Sequence, residues 1–151
     1  MLDLYVDADA CPVKQEVYRV ARRLSLRVFV VGARALAVPR DVDARAVAAG
    51  AGADAADDWI AQRIGPGDIC VTADIPLAAR CLARGAAALG PRGVPFTEDG
   101  IGEALATREL LQSLRDGGLV GSGPPPFHPR DRSTFLDQLD RLILAIRRRP
   151  G

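Results

Sequence analysis

Lysine is nearly missing from this chain: Lys14 is the only one, and every other basic side chain is arginine. Histidine also occurs once, as His128 between Phe127 and Pro129. That position reads as a solvated loop, and it leaves Ser25 and Ser113 without the imidazole that a serine triad needs. Cysteine is scarce. Cys11, Cys70 and Cys81 are odd in number and show no CxxC spacing, which argues against a disulfide framework or a zinc site and for free thiols in a reducing compartment. No apolar run approaches membrane-spanning length. No basic region precedes the first strand as a signal peptide would require. These absences lead us to expect a cytoplasmic protein with no membrane partner. An excess of either charge is lacking as well, because the formal net charge is +1. Bulk charge that small does not hold a protein on nucleic acid, so any such contact must be local.

What is present describes one ordinary domain over residues 1–151, with 48% hydrophobic and 26% charged residues. A chain of this size buries roughly 70% of its extended surface and can build a full core. Leu2, Leu4 and Val6 alternate with Asp3 and Tyr5, a short first strand that ends in Asp7 and Asp9. Pro12 then opens a helix, where its missing N–H costs nothing. Val13, Val17, Val20, Ala21 and Leu24 recur at helical spacing. Residues 26–31 form a continuous apolar strand, as in parallel sheets covered on both faces. Residues 42–48 read as a weak third strand. A helix over 54–64 follows, carrying Trp59, Ile60 and Ile64 as core candidates. Residues 68–73 form a strand ending in Asp74, Pro76 opens a helix over 77–84, and 86–89 is a short last strand.

The unit of strand, terminal aspartate, proline and helix thus occurs twice. Alternating β and α segments predict a doubly wound parallel sheet with right-handed crossovers. From residue 91 the pattern changes. An irregular stretch leads to a helix capped by Thr97 and ending at Gly117, a Gly/Pro-rich segment over 121–126, and a final helix over 131–148. Its apolar stripe is Phe135, Leu136, Leu139, Leu142, Ile143 and Ile146. Residues 97–149 therefore form a C-terminal helical arm on the same domain.

The chemistry resides in aspartates. Asp7 and Asp74 both end strands, and in open α/β sheets that edge is where ligands bind. Asp9 follows Asp7 too closely for both to serve as caps. Like charges this near repel unless a cation lies between them, and a divalent ion is the simplest one. Asp54 and Asp57 share a helix face. The same acids at a helix start also suit the helix dipole, so dipole and metal readings both stand for them. Together the set offers the hard oxygen ligands of Mg²⁺ or Mn²⁺. Lys14, one turn after the acidic loop, is either a phosphate contact or a solvated charge.

The segments Val6–Lys14, Ala53–Asp57, Val71–Ala78 and Asp131–Arg132 resemble the bacterial YaiI/YqxD family, over nearly the whole chain. That family is grouped with the PIN-like nucleases. The resemblance implies a three-layer PIN-like fold with strands ordered 3-2-1-4-5. It also implies an acidic cluster that binds Mg²⁺ or Mn²⁺ for RNA phosphodiester cleavage. By resemblance, Asp7, Asp57 (or Asp54) and Asp74 match the family's catalytic acids and metal ligands; we further expect Asp9 as a ligand and Thr72, beside Asp74, as a substrate contact. The loop Gly32-Ala33-Arg34 departs from the polar Asn-Ser pair usual there, and Ser122-Gly123-Pro124 from Gly-Gly-Pro.

Two other readings were weighed. A module that binds RNA or a nucleotide without cutting needs the same acidic edge. Asp7-x-Asp9 also resembles the first motif of haloacid-dehalogenase phosphotransferases, where the first Asp is the nucleophile; the downstream lysine that chemistry needs is missing. A nearly neutral protein must flank its acids with cations to hold a polyanion. Arg108 and Arg115 lie seven apart on one helix face. Arg130 and Arg132 begin the last helix, where the N-terminal dipole makes a phosphate seat. The alternative for Arg132 is a carboxylate partner that pins the helix.

Overall fold

The computed structural model describes residues 2–9, 11–118 and 126–149; within the helix that follows Thr97, the Arg115 side chain also lies outside the described set. Most of the Gly/Pro-rich segment falls outside it too.

The described residues form a six-stranded sheet and five helices. Strand β1 is Asp3–Asp7, β2 Arg27–Gly32, β3 Ala44–Ala48, β4 Ile69–Val71, β5 Ala87–Leu89 and β6 Pro95–Phe96. Helix α1 is Lys14–Leu24, α2 Ala55–Arg63, α3 Ile75–Ala83, α4 Glu98–Asp116 and α5 Pro129–Arg147. The order across the sheet is β3-β2-β1-β4-β5-β6, and the first five strands run parallel. This contains the expected 3-2-1-4-5 order. Strand β6 was not legible in the sequence. It is two residues long and antiparallel to β5, pairing Ala88 with Phe96, so it has no periodicity of its own.

The period-2 alternation of the strands sorts their side chains onto two faces. Leu4, Val6, Val28, Val30, Ile69 and Val71 face α1 and α5, packing with Val17, Val20, Phe135, Leu139 and Ile143. Tyr5, Val31 and Cys70 face α2 and α3, packing with Ile60, Ile64, Leu77 and Cys81. Trp59 belongs to this second layer, 5.6 Å from the Phe29 ring and 6.2 Å from Tyr5. It is therefore partly buried core. Helix α4 packs against α3, and its outer leucines stay in solvent: Leu110 is 60% exposed.

Several boundaries differ from the sequence reading. Pro12 lies in the turn before Val13, the residue preceding α1, and not at the first helical position. The β1–α1 turn is two residues longer than the motif suggests, since α1 starts at Lys14 and not at Pro12. Pro76, by contrast, lies inside the first turn of α3. The last helix begins two residues early, at Pro129, because Asp131 caps it from within: its Oδ2 accepts from the His128 N–H at 2.8 Å. No helix among the described residues is long and apolar enough to cross a membrane.

Candidate acidic cleft at the carboxyl ends of β1 and β4

Strands β1 and β4 are neighbours, with Val6 opposite Val71. One step further along each strand lie Asp7 and Thr72. Both follow the alternation of Tyr5 and Cys70, so both point to the α2/α3 face. The Thr72 hydroxyl donates to Asp7 Oδ2 at 2.8 Å and accepts from the Asp74 N–H at 2.9 Å. Thr72 is 2% exposed, and its hydroxyl is committed to these two groups. It orients the acids and is not positioned as a free substrate contact.

Asp74 itself caps α3, its Oδ1 accepting from Leu77 N–H at 3.0 Å. The two similar sequence units therefore differ in three dimensions. Asp74 shares its charge with a helix N-terminus, whereas Asp7 ends a strand and caps nothing. Asp9 is exposed and is tied to the next loop, accepting from Ala33 N–H at 3.3 Å. Gly32 makes that approach possible, since a Cβ there would stand 3.0 Å from Asp9 Oδ1.

Asp57 reaches the same edge from the first turn of α2. Its pKa is pushed up to about 6, first by burial and then by the charges of Asp74, Asp7 and Asp54, against a smaller pull from Arg80. The Asp7 carboxyl is also raised. Burial is the main cause, the Thr72 hydrogen bond pulls it back, and the Asp74 and Asp9 charges raise it further. Asp54, exposed at the N-cap of α2, makes no side-chain capping bond. Eight ion pairs hold carboxylates elsewhere, Asp58 with Arg80 among them. None of Asp7, Asp9, Asp54, Asp57 or Asp74 has an arginine or lysine partner among the described residues.

Around Asp7, Asp9 and Asp74 opens a cleft of about 360 Å³, lined also by Cys11, Thr72, Ala73, Pro91 and Arg108; Asp54 and Asp57 are not part of its lining. Burial raises the pKa of the Cys11 thiol, so Cys11 is a wall of the cleft and not an activated nucleophile. Cys11 was visible in the first motif. Pro91 carried no signal, because only the β5–β6 turn brings it here.

Of the basic residues expected at this edge, Arg108 lines the cleft from α4. Lys14 does not face it: its ammonium donates to the carbonyls of Ala8 and Cys11, at 3.1 and 3.2 Å, and fixes the shape of the acidic loop. Arg132 is also occupied. Its guanidinium bonds Glu16 at 2.8 Å and the Pro12 carbonyl, and lies over the Phe127 ring. It pins α5 to α1, and the phosphate-seat reading fails at this residue. Arg130 is exposed at the start of α5 and does not line the cleft.

An oxygen-only donor set with raised carboxylate pKa values suits a hard divalent cation. No group of three His, Cys, Asp or Glu side chains among the described residues forms a ready-made cage. An ion held here would take one or two carboxylates directly and keep much of its water.

Fold and site together define an α/β protein with an unpaired acidic cleft at the carboxyl ends of its two central strands. The chain belongs to the YaiI/YqxD family, whose model, described as an uncharacterized bacterial family, matches residues 5–145. It is 57% identical to the UPF0178 protein bll3966 of Bradyrhizobium diazoefficiens over 146 residues, covering 97% of this chain and 87% of that one. A UPF0178 protein of Rhodopseudomonas palustris, RPA2191, is 58% identical with 97% and 92% covered. One from Azorhizobium caulinodans is 53% identical with 97% and 92% covered. No solved structure matches the chain.

Proposed function

We propose that this protein is a PIN-like, divalent-metal-dependent nuclease that hydrolyses phosphodiesters, with RNA favoured over DNA. The observation that carries the reading is the convergence of Asp7, Asp57 and Asp74. The charge of Asp74, at the β4–α3 junction, raises the pKa of Asp7 on β1 and of Asp57 on α2, and none of the three forms an ion pair among the described residues. Such an arrangement is costly without a counter-ion. The 3-2-1-4-5 order of the parallel strands supports the PIN-like assignment.

Mg²⁺ or Mn²⁺ would be held by Asp7 and Asp74, with Asp57, Asp9 or Asp54 reaching it directly or through water. When bound, the ion supplies Lewis acidity toward a phosphate oxygen and a more acidic water. The chain's own residues do the rest. Thr72 holds Asp7 in one orientation. Asp57, presented to this edge from α2, would accept a proton from the attacking water. Arg108 draws the phosphate to an otherwise repulsive edge.

Among the described residues no three acids form a cage, which suits one alternative, a module that binds RNA or a nucleotide without cutting it. Labelled single-stranded RNA incubated with the protein and Mn²⁺ tests both. Cleavage that is lost in Asp74→Asn supports the nuclease; binding without cleavage supports the module.

A further inference from the structure

The acidic cleft does not end at Arg108. A second, larger groove of about 680 Å³ continues from it, lined by Ala73, Ile75, Gly100, Glu103, Ala104, Thr107, Arg108 and Leu111. The two cavities share Ala73 and Arg108. On α4 the groove residues 100, 103, 104, 107, 108 and 111 fall at spacings of three and four, so one helix face supplies a whole wall. Ile75 forms the opposite wall from the first turn of α3. The floor is aliphatic, with Ile75, Ala104 and Leu111, and the polar groups are Glu103, Thr107 and Arg108. Among the described residues neither the Glu103 carboxylate nor the Arg108 guanidinium has a hydrogen-bond or ion-pair partner.

Resting on the phosphodiester reading of the cleft, we infer that this groove is a nucleobase subsite for the nucleotide next to the phosphate bound at Asp7 and Asp74. We further infer that Glu103 selects there for a base carrying an exocyclic amine over uracil. Continuity decides the occupant. Ala73, the shared wall, immediately precedes Asp74, so a strand lying across the acids runs on into the groove. Arg108 stands at the junction, where a phosphate between two nucleotides must pass. A groove of this volume is in the range of small-ligand sites, and its mix of an apolar floor and few polar groups suits a flat ring with a polar edge.

The groove has no aromatic platform, so stacking contributes less here than at single-strand sites built on aromatic rings. Discrimination then falls to hydrogen bonding at the base edge. A carboxylate only accepts. It can pair with the amino group of cytosine, as in base recognition by Glu generally, or with that of adenine or guanine. Uracil presents carbonyl oxygens where cytosine has its amine, and these repel Glu103.

The test is fluorescence anisotropy of the full-length protein in Mg²⁺ with labelled phosphorothioate hexamers of cytidine and of uridine, which resist hydrolysis, on the wild-type background with Asp74 in place. Arg108→Ala, Glu103→Gln and Ala104→Trp are each added to that background. The expected result is about tenfold tighter binding of the cytidine hexamer. Glu103→Gln should narrow the gap to below about threefold. Ala104→Trp, which fills the groove, should weaken both hexamers. Circular dichroism melts confirm that each variant folds, and Glu103→Gln alone decides selectivity if Ala104→Trp does not. Binding that requires Arg108 but ignores base identity and both groove variants overturns the subsite and leaves the cleft reading intact. No binding of either hexamer to wild type overturns the cleft reading and the subsite with it.

Discussion

Thr72 and Asp7, sixty-five residues apart in sequence, share one short hydrogen bond at 2.8 Å, and the same hydroxyl receives the Asp74 N–H. One buried side chain thus sets the position of two of the three acids. Thr72→Val keeps the shape but leaves a buried acceptor and a buried donor unpaired. It should cost about 1–3 kcal/mol in urea unfolding. The Asp7 pKa should rise further, because the hydrogen bond that lowers it is lost. Thr72→Ser should restore most of the loss.

Asp57 makes stability depend on pH in an unusual direction for a carboxylate. Its pKa in the folded protein, about 6, lies above the ordinary value of 3.8. Between those values the folded state binds more protons than the unfolded one, so stability falls as pH rises through the window. Asp57 is half-buried, and after solvent screening the effect should be about 1 kcal/mol. The metal-free protein should therefore lose stability between pH 4 and 6.5 as far as this group contributes. Asp57→Asn should flatten that slope and be the more stable protein at pH 7. A steeper slope in the variant would contradict the assignment.

Divalent ions should reverse the repulsion. Mn²⁺ at a hundred times its Kd should stabilise the folded protein by about 2.7 kcal/mol, read as a higher Tm. Asp7→Asn and Asp74→Asn should lose most of that shift. Asn is as good an N-cap as Asp, so Asp74→Asn keeps the α3 cap and isolates the charge. An unchanged shift in both variants would count against metal binding at this edge.

The two arginines once grouped together should behave oppositely. Arg108→Ala should weaken RNA binding and reduce the slope of log affinity against log salt by about 0.7, the contribution of one single-strand phosphate contact. Arg132→Ala leaves Glu16 buried without its partner and should cost about 1–3 kcal/mol in stability. Its RNA affinity and salt slope should be those of wild type.

Gly93 sits in the β5–β6 turn with φ +86°, and a Cβ there would meet the Thr134 side chain and backbone at 2.8–2.9 Å. Gly93→Ala combines a left-handed backbone with a clash against α5. A loss of about 2 kcal/mol or more in chemical denaturation is expected. A neutral substitution would show that α5 can shift away from this turn.

Local pattern alone determined β1, β2, β4, α1, α3 and the stripe of α5. In each, hydrophobic period and terminal residues agree, and a period of 2 or 3.6 is a property of neighbours along the chain. The same alternation placed Asp7 at a strand end, whereas Asp74, also read as a strand end, lies three residues past β4 as the N-cap of α3. What local pattern could not state is which strands lie side by side, because register is a relation between segments; the 3-2-1-4-5 order came from the family resemblance. Only the β1–β4 pairing brings Thr72 onto Asp7. Strand β6 exists only because β5 offers it an edge. The arginines were ambiguous for the same reason. Arg108, Arg130 and Arg132 are chemically alike in sequence, and a long flexible side chain takes whichever partner the fold brings within reach. The packing of α5 on α1 gave Arg132 the carboxylate of Glu16, while the docking of α4 against α3 left Arg108 at the acidic cleft.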